Sequence, residues 1–216
     1  KKEQKMKIAV ICANGKAGKL IVKEAISRNL DVTAIVREEN QTETKNVIKK
    51  DLFDLTADDL KNFDIVIDAF GAWTNETLPQ HSSSLKHLCD ILSNSDTRLL
   101  VVGGAGSLYV DSQHTAQVSD GPNFPEGFKP LAAAMDKALT ELRERKDVKW
   151  TYISPAADFR ADGERSGKYI KGGEELPLNS KGESIISYAD YAIAMIDEAV
   201  KGNNIQKRIS VVADYN

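Results

Sequence analysis

Lys7-Ile8-Ala9-Val10-Ile11-Cys12-Ala13-Asn14-Gly15-Lys16-Ala17-Gly18 joins a short apolar run to a turn of small residues and then to a helix. The order strand, turn, helix suits a phosphate. Gly15 and Gly18 allow a close backbone approach, and the free N–H groups and positive dipole at the helix start attract the anion. The ligand this implies is a dinucleotide. Leu20, Ile21, Ala25 and Ile26 continue one helical face behind the turn. The first glycine of a Gly-x-x-Gly-x-x-Gly fingerprint is replaced by Cys12, and Asn14, a residue that tolerates left-handed turns, precedes the second. Cys12 has two readings: a small residue in a glycine's place, or a thiol activated at a helix N-terminus.

Outward from this turn, Val32-Thr33-Ala34-Ile35-Val36 reads as a second buried strand with Arg37 at its tip. An arginine there suits the 2′-phosphate of NADP(H), with Lys16 as a second charge; the alternative is a solvated surface arginine beside Glu38 and Glu39. Val47-Ile48-Lys49 is a third strand, and Asp51-Leu52 follows, where the carboxylate reaches an adenine amino group or merely fixes a turn. Thr56 with Asp59 reads as a helix cap. Ile65 to Gly71 forms the fourth strand and brings Ala69, Phe70 and Gly71 beside the cofactor. Leu78 to Leu92 is a helix whose His81 and His87 lack the companions of a metal site.

Arg98 to Val102 is the fifth strand, followed by Gly103-Gly104-Ala105-Gly106-Ser107-Leu108-Tyr109. Ser107 has two readings: a hydroxyl that hydrogen-bonds an acceptor over the nicotinamide, or a serine of the kind common in any such turn. Thr115 to Gly127 reads as a loop closing over the site. Leu131 to Arg145 is a helix carrying Lys137, and Trp150 to Ser154 a sixth strand leading into Pro155 and Ala156. Glycines and lost helical period from Arg160 to Ser184 suggest a hairpin-like cap. Ser187 and Asp190 start a helix to about Val200, and Arg208 to Val212 is the last strand.

The 216 residues carry a net charge of −3, so no basic field invites nucleic acid. No apolar run approaches the roughly 20 residues that span a bilayer. Two distant cysteines, Cys12 and Cys89, suggest a reducing cytoplasm rather than a disulfide framework. Residues 1–5 read as a disordered lead, and residues 6–216 as one domain in which 156–186 supply the cap.

Together, Cys12 to Gly18, Arg37, Asp51-Leu52, Asp68-Ala69-Phe70-Gly71, Gly103 to Leu108 and Ser154-Pro155-Ala156 resemble the NmrA-like, atypical branch of the short-chain dehydrogenase/reductases, most nearly bacterial NADH-flavin reductases. The resemblance covers nearly the whole chain. It implies an α/β fold, a Rossmann-like doubly wound parallel sheet with a small C-terminal substrate cap. It also implies NADP(H) in preference to NAD(H), held by Cys12, Asn14, Gly15, Lys16, Ala17, Gly18, Arg37, Asp51, Leu52, Ala69, Phe70, Gly71, Gly103, Gly104, Pro155 and Ala156. Lys137 would bond the nicotinamide ribose. One departure bears on mechanism: the tyrosine that typical members place four residues before the lysine is here Ala133. Reduction of a flavin or quinone-like acceptor fits that loss, because hydride transfer between two flat rings needs orientation more than an acid. Ser107 and Lys137 are the catalytic candidates, and Trp73, Ser107, Tyr109 and Phe159 the acceptor-binding ones. A small-molecule acceptor and a monomer or homodimer are expected; the alternative is an NmrA-type redox sensor that binds NADP(H) without turnover.

Overall fold

Apolar runs without polar alternation make strands that must be covered on both faces. In β1 (Lys7–Ile11), Ile8 and Val10 face one core cluster while Ala9 and Ile11 face another. The computed structural model describes residues 5–215; the lead expected at residues 1–5 therefore lies, apart from an exposed Lys5, outside the described residues.

An eight-stranded sheet forms the centre. Its order runs β3 (Val47–Lys49), β2 (Asp31–Val36), β1, β4 (Ile65–Asp68), β5 (Arg98–Val102), β6 (Lys149–Ser154), β10 (Lys207–Ala213) and β8 (Tyr169–Gly172). The first seven are parallel, and β8 runs antiparallel to β10. This is the Rossmann-like, doubly wound arrangement. Helices α1 (Lys16–Ser27) and α5 (Tyr188–Lys201) pack together on one face. Their Ile21, Val22, Tyr191 and Met195 share a cluster with Ile8 and Val10. Helices α3 (Gln80–Ile91) and α4 (Lys129–Arg143) cover the other face, where Leu88, Leu139 and Leu142 meet Ala9, Ile11 and Trp150. The short α2 (Ala57–Leu60) carries the expected cap, with Thr56 Oγ1 accepting from Asp59 N at 3.2 Å.

The region expected to form a hairpin-like cap is built differently. Its β8 is spent on the main sheet, where it pairs the edge that β10 would otherwise expose. The remaining pieces, β7 (Asp158–Arg160) and β9 (Ile185–Ser187), make a separate parallel pair. The fourth strand also ends earlier than expected, because Phe70 N turns back to the Asp68 carboxylate at 3.0 Å. Among the described residues no helix is long and apolar enough to cross a membrane.

Candidate functional site

Six parallel strands end on one side of the sheet, and the chain leaving β1 to β6 lines a single cleft of about 1010 Å³. That volume lies at the upper end of the roughly 300–1,000 Å³ usual for small-molecule sites.

At its β1 end the phosphate turn is preformed. Cys12 adopts φ +59°, and its carbonyl accepts from Gly15 N at 3.1 Å. Gly15 starts α1 with no side-chain cap and no acid in the first turn, which leaves the N–H groups of that turn for an anion. Gly18 is required for packing: a Cβ there would stand 2.7 Å from the Cys12 carbonyl oxygen and 2.8 Å from Ala13 Cα. The donor set thus fits a pyrophosphate. Burial, followed by the charge of Asp68, pushes the Cys12 thiol up to about 12, which favours a small residue in a glycine's place over an activated thiol.

Asn14 touches the β2–β3 connection with both ends of its carboxamide. Nδ2 donates to the Glu39 carbonyl and Oδ1 accepts from Gln41 N, each at 2.8 Å. Arg37 lines the cleft, largely exposed, 3.9 Å from Asp51. Glu39 is drawn off by Lys49 at 2.9 Å, while Lys16, Glu38 and Lys50 line the cleft with Arg37. Asp51 accepts from Phe53 N at 2.9 Å, so it fixes a turn and also faces the cleft, beside Leu52. Ala17, Ala69, Phe70, Gly71, Gly103, Gly104, Pro155 and Ala156 line it as well.

The other half of the cleft is apolar and aromatic. Trp73 and Phe159 belong to it, as expected, joined by Phe124, Phe128, Leu131, Met135 and Tyr188. Phe159 and Tyr188 have ring centroids 4.0 Å apart. Phe128, Leu131, Ala132 and Met135 follow helical spacing on α4 and its lead-in, a stripe the sequence shows and the reading passed over. His81 also reaches the cleft, with Nε2 2.9 Å from the Ala72 carbonyl; burial lowers its pKa and keeps the ring neutral.

Besides Gly18, which is buried under the turn, three expected residues are not brought to the cleft. Ser107 is buried, and its Oγ accepts from Arg208 Nη1 at 2.8 Å. Tyr109 stacks on His114 with centroids 4.3 Å apart, in a strand-like bridge to Gln117 and Glu175. Lys137 is exposed on α4, two positions past the inward Met135 and so on another side of the helix.

Arg208 is the organiser that the sequence reading missed. Buried within β10, it also donates to Ser154 Oγ at 3.2 Å, the Ser107 carbonyl at 3.0 Å and Glu174 at 2.9 Å. Arg143 clasps the same Glu174 carboxylate at 3.0 and 2.7 Å. Burial works to raise this carboxyl, but the Arg143 hydrogen bond and the Arg208 charge outweigh it and hold it below its ordinary value. The only sequence signal was an arginine inside an apolar strand.

Residues 12–199 match the sequence model of a family described as NAD(P)H-binding. The chain belongs to this NAD(P)H-binding family. It is 44% identical over 212 residues to YwnB of Bacillus subtilis, spanning 97% of this chain and 99% of that one. A crystal structure from Streptococcus pneumoniae, named a "putative NADH-flavin reductase", superposes with a TM-score of 0.94 at 55% identity, covering 97% of this chain and 100% of its own. A "putative epimerase" from Bacteroides thetaiotaomicron gives 0.85 at 32% identity, with 99% of each chain covered. The family assignment agrees with the NmrA-like, atypical short-chain dehydrogenase/reductase frame and with a pyridine nucleotide at the phosphate turn.

Proposed function

We propose that the protein transfers hydride from NADPH to a flavin or quinone-like acceptor. The carrying observation is the acceptor half of the cleft: it offers flat aromatic faces, while Lys137 and Ser107, the expected catalytic pair, both lie outside it. When bound, the reduced nicotinamide supplies the hydride. The first turn of α1 receives the pyrophosphate, and Arg37 with Lys50 and Lys16 attracts the 2′-phosphate. Trp73, Phe159 and Tyr188 stack an acceptor ring and keep water from the transfer. Such a ring needs no protein acid at the moment of transfer, which is consistent with Ala133 standing four residues before Lys137. The name of the Streptococcus pneumoniae relative adds support.

The test is NADPH oxidation by the purified protein with FMN, FAD, riboflavin and a small quinone. Acceptor-dependent oxidation above the uncatalysed rate is expected. Tight NADPH binding with no turnover on any of them would favour a nucleotide sensor instead. Arg37→Ala is expected to weaken NADPH about tenfold or more and leave NADH within about twofold; an unchanged preference would remove the 2′-phosphate assignment.

A further inference from the structure

Every charged side chain among the described residues lining the cleft, namely Lys16, Arg37, Glu38, Lys50 and Asp51, belongs to the chain after β1, β2 or β3. From Leu52 round to Tyr188 the wall carries none, and His81 is held neutral by burial.

Part of the backbone at the acceptor half is closed as well. Ahead of α3, Thr77 N and Leu78 N donate to the Thr74 carbonyl at 2.9 Å, and Gln80 N to Thr77 at 2.9 Å. His81 N and Ser83 N donate to Leu78 at 3.1 Å and Pro79 at 3.2 Å, so this helix start is already filled by its own preceding turn. Pro130 removes one donor from the first turn of α4. Helix α5 begins at the capping Ser187, whose hydroxyl accepts from Asp190 N at 3.0 Å, with the Asp190 carboxylate in its first turn. The start of α1 has neither cap nor acid, as is also true of α3 and α4, but only the α1 end of the cleft has Lys16, Arg37 and Lys50 beside it. One end of the cleft therefore carries cations, and the other carries none among the described residues.

On the reductase reading above, we infer that the acceptor is recognised as an uncharged flat ring, riboflavin-like or quinone-like, and that a phosphate or other anionic tail contributes nothing to its binding. An anion entering the acceptor half gives up hydration and meets no cation among the described residues. A neutral ring gains stacking and burial there without that cost. The specificity follows from the wall alone, because riboflavin and FMN present the same reactive ring and differ in the tail.

Steady-state NADPH oxidation with riboflavin and with FMN decides this, together with flavin-fluorescence titration of both into the protein saturated with NADP+. The expected result is kcat/KM for riboflavin at least equal to that for FMN, with riboflavin binding as tightly or more so. An FMN preference of tenfold in either measurement would overturn the inference while leaving the reductase reading in place. Failure of both flavins and of a small quinone to bind or turn over would overturn both. A gain-of-recognition variant gives a second readout: Gln80→Lys places a cation on the acceptor wall and is expected to raise the FMN-to-riboflavin ratio at least fivefold. An unmoved ratio would mean that a cation already serves the tail.

Discussion

Asn14 and Gln41 are 27 residues apart in sequence, yet Gln41 N donates to Asn14 Oδ1 at 2.8 Å, and the same carboxamide donates to the Glu39 carbonyl at 2.8 Å. The phosphate turn and the connection that follows Arg37 are thereby fixed as one piece. Asn14 spends polar atoms on this strut, so the contribution expected of it to nucleotide binding is positional.

Replacing Asn14 by alanine removes two hydrogen bonds, each worth about 1 kcal/mol net. Loosening the Arg37 connection is expected to weaken NADPH about fivefold while NADH changes less than twofold. Calorimetric titration with both nucleotides measures this. Equal weakening of the two would show a general collapse of the turn.

Asp68 ends β4 buried, and among the described residues its donor is Phe70 N at 3.0 Å. Burial raises its carboxyl from 3.8 to about 6. Between those values the native state holds a proton that the unfolded chain has lost, so this group's contribution to stability falls as pH rises and reaches its full cost above pH 6. Two units correspond to about 3 kcal/mol. Asp68→Asn can keep the bond from Phe70 N without a charge. Its stability, from urea unfolding at pH 8, is expected to exceed that of the parent by about 1–3 kcal/mol, and the decline between pH 4 and 6 should flatten. A variant less stable than the parent at pH 8 would show that the ionised form has partners.

Both cysteines behave as small apolar residues. Burial pushes the Cys12 and Cys89 thiols up to about 12, which keeps them protonated at ordinary pH. Alkylation of the native protein by iodoacetamide at pH 8 is expected to be at least tenfold slower than that of the urea-unfolded chain, since only the thiolate reacts. Rapid native labelling at Cys12 would restore the activated-thiol reading.

The parallel strands and the phosphate turn were legible because their signals are local: β-branched runs, and glycines at fixed spacing before a helix. The place of Arg37 in the cleft was legible for the same reason, at the tip of a strand whose neighbours the fold dictates. Ser107 was misplaced because nothing near it in sequence announces Arg208, 101 residues later, whose guanidinium takes its hydroxyl. The cap was misread because glycine-rich, non-periodic sequence gives the turns but not the partner, and the partner of β8 is the edge of β10. Phe128, Leu131 and Met135 carried a visible helical stripe, but a stripe that faces a cleft looks the same as one that faces a core.

Glu174 sits between Arg143 and the buried Arg208, tying the turn after β8 to α4 and, through Arg208, to the Ser107 turn. Removing one partner of a buried pair leaves an uncompensated charge, at a cost of about 3–5 kcal/mol, and the partial exposure of this carboxylate lowers the expectation for Glu174→Ala to about 2 kcal/mol. The double variant Glu174→Gln, Arg208→Met is expected to regain at least half of that loss, because its neutral partners no longer strand a charge. Thermal unfolding of the two variants and the parent closes the comparison. If the double variant loses more than Glu174→Ala, the network acts through packing rather than charge.

Lys137 and Phe159 make opposite predictions for catalysis. Lys137 is exposed and absent from the cleft wall, whereas Phe159 lines it and packs against Tyr188 and Tyr191 at 4.0 and 5.0 Å between centroids. Lys137→Ala is expected to leave kcat and both KM values within about twofold, since surface substitutions rarely shift energies by more than about 0.5 kcal/mol. Phe159→Leu keeps an apolar side chain but loses the flat face, a stacking contribution of about 0.5–1.5 kcal/mol. It is expected to raise the acceptor KM about threefold to tenfold at unchanged NADPH KM. A large fall in kcat for Lys137→Ala would mean that α4 turns this lysine inward when nucleotide binds, and the family's ribose contact would then be restored. A Phe159→Leu enzyme with unaltered acceptor kinetics would move the stacking face to Trp73, where the same substitution and measurement apply.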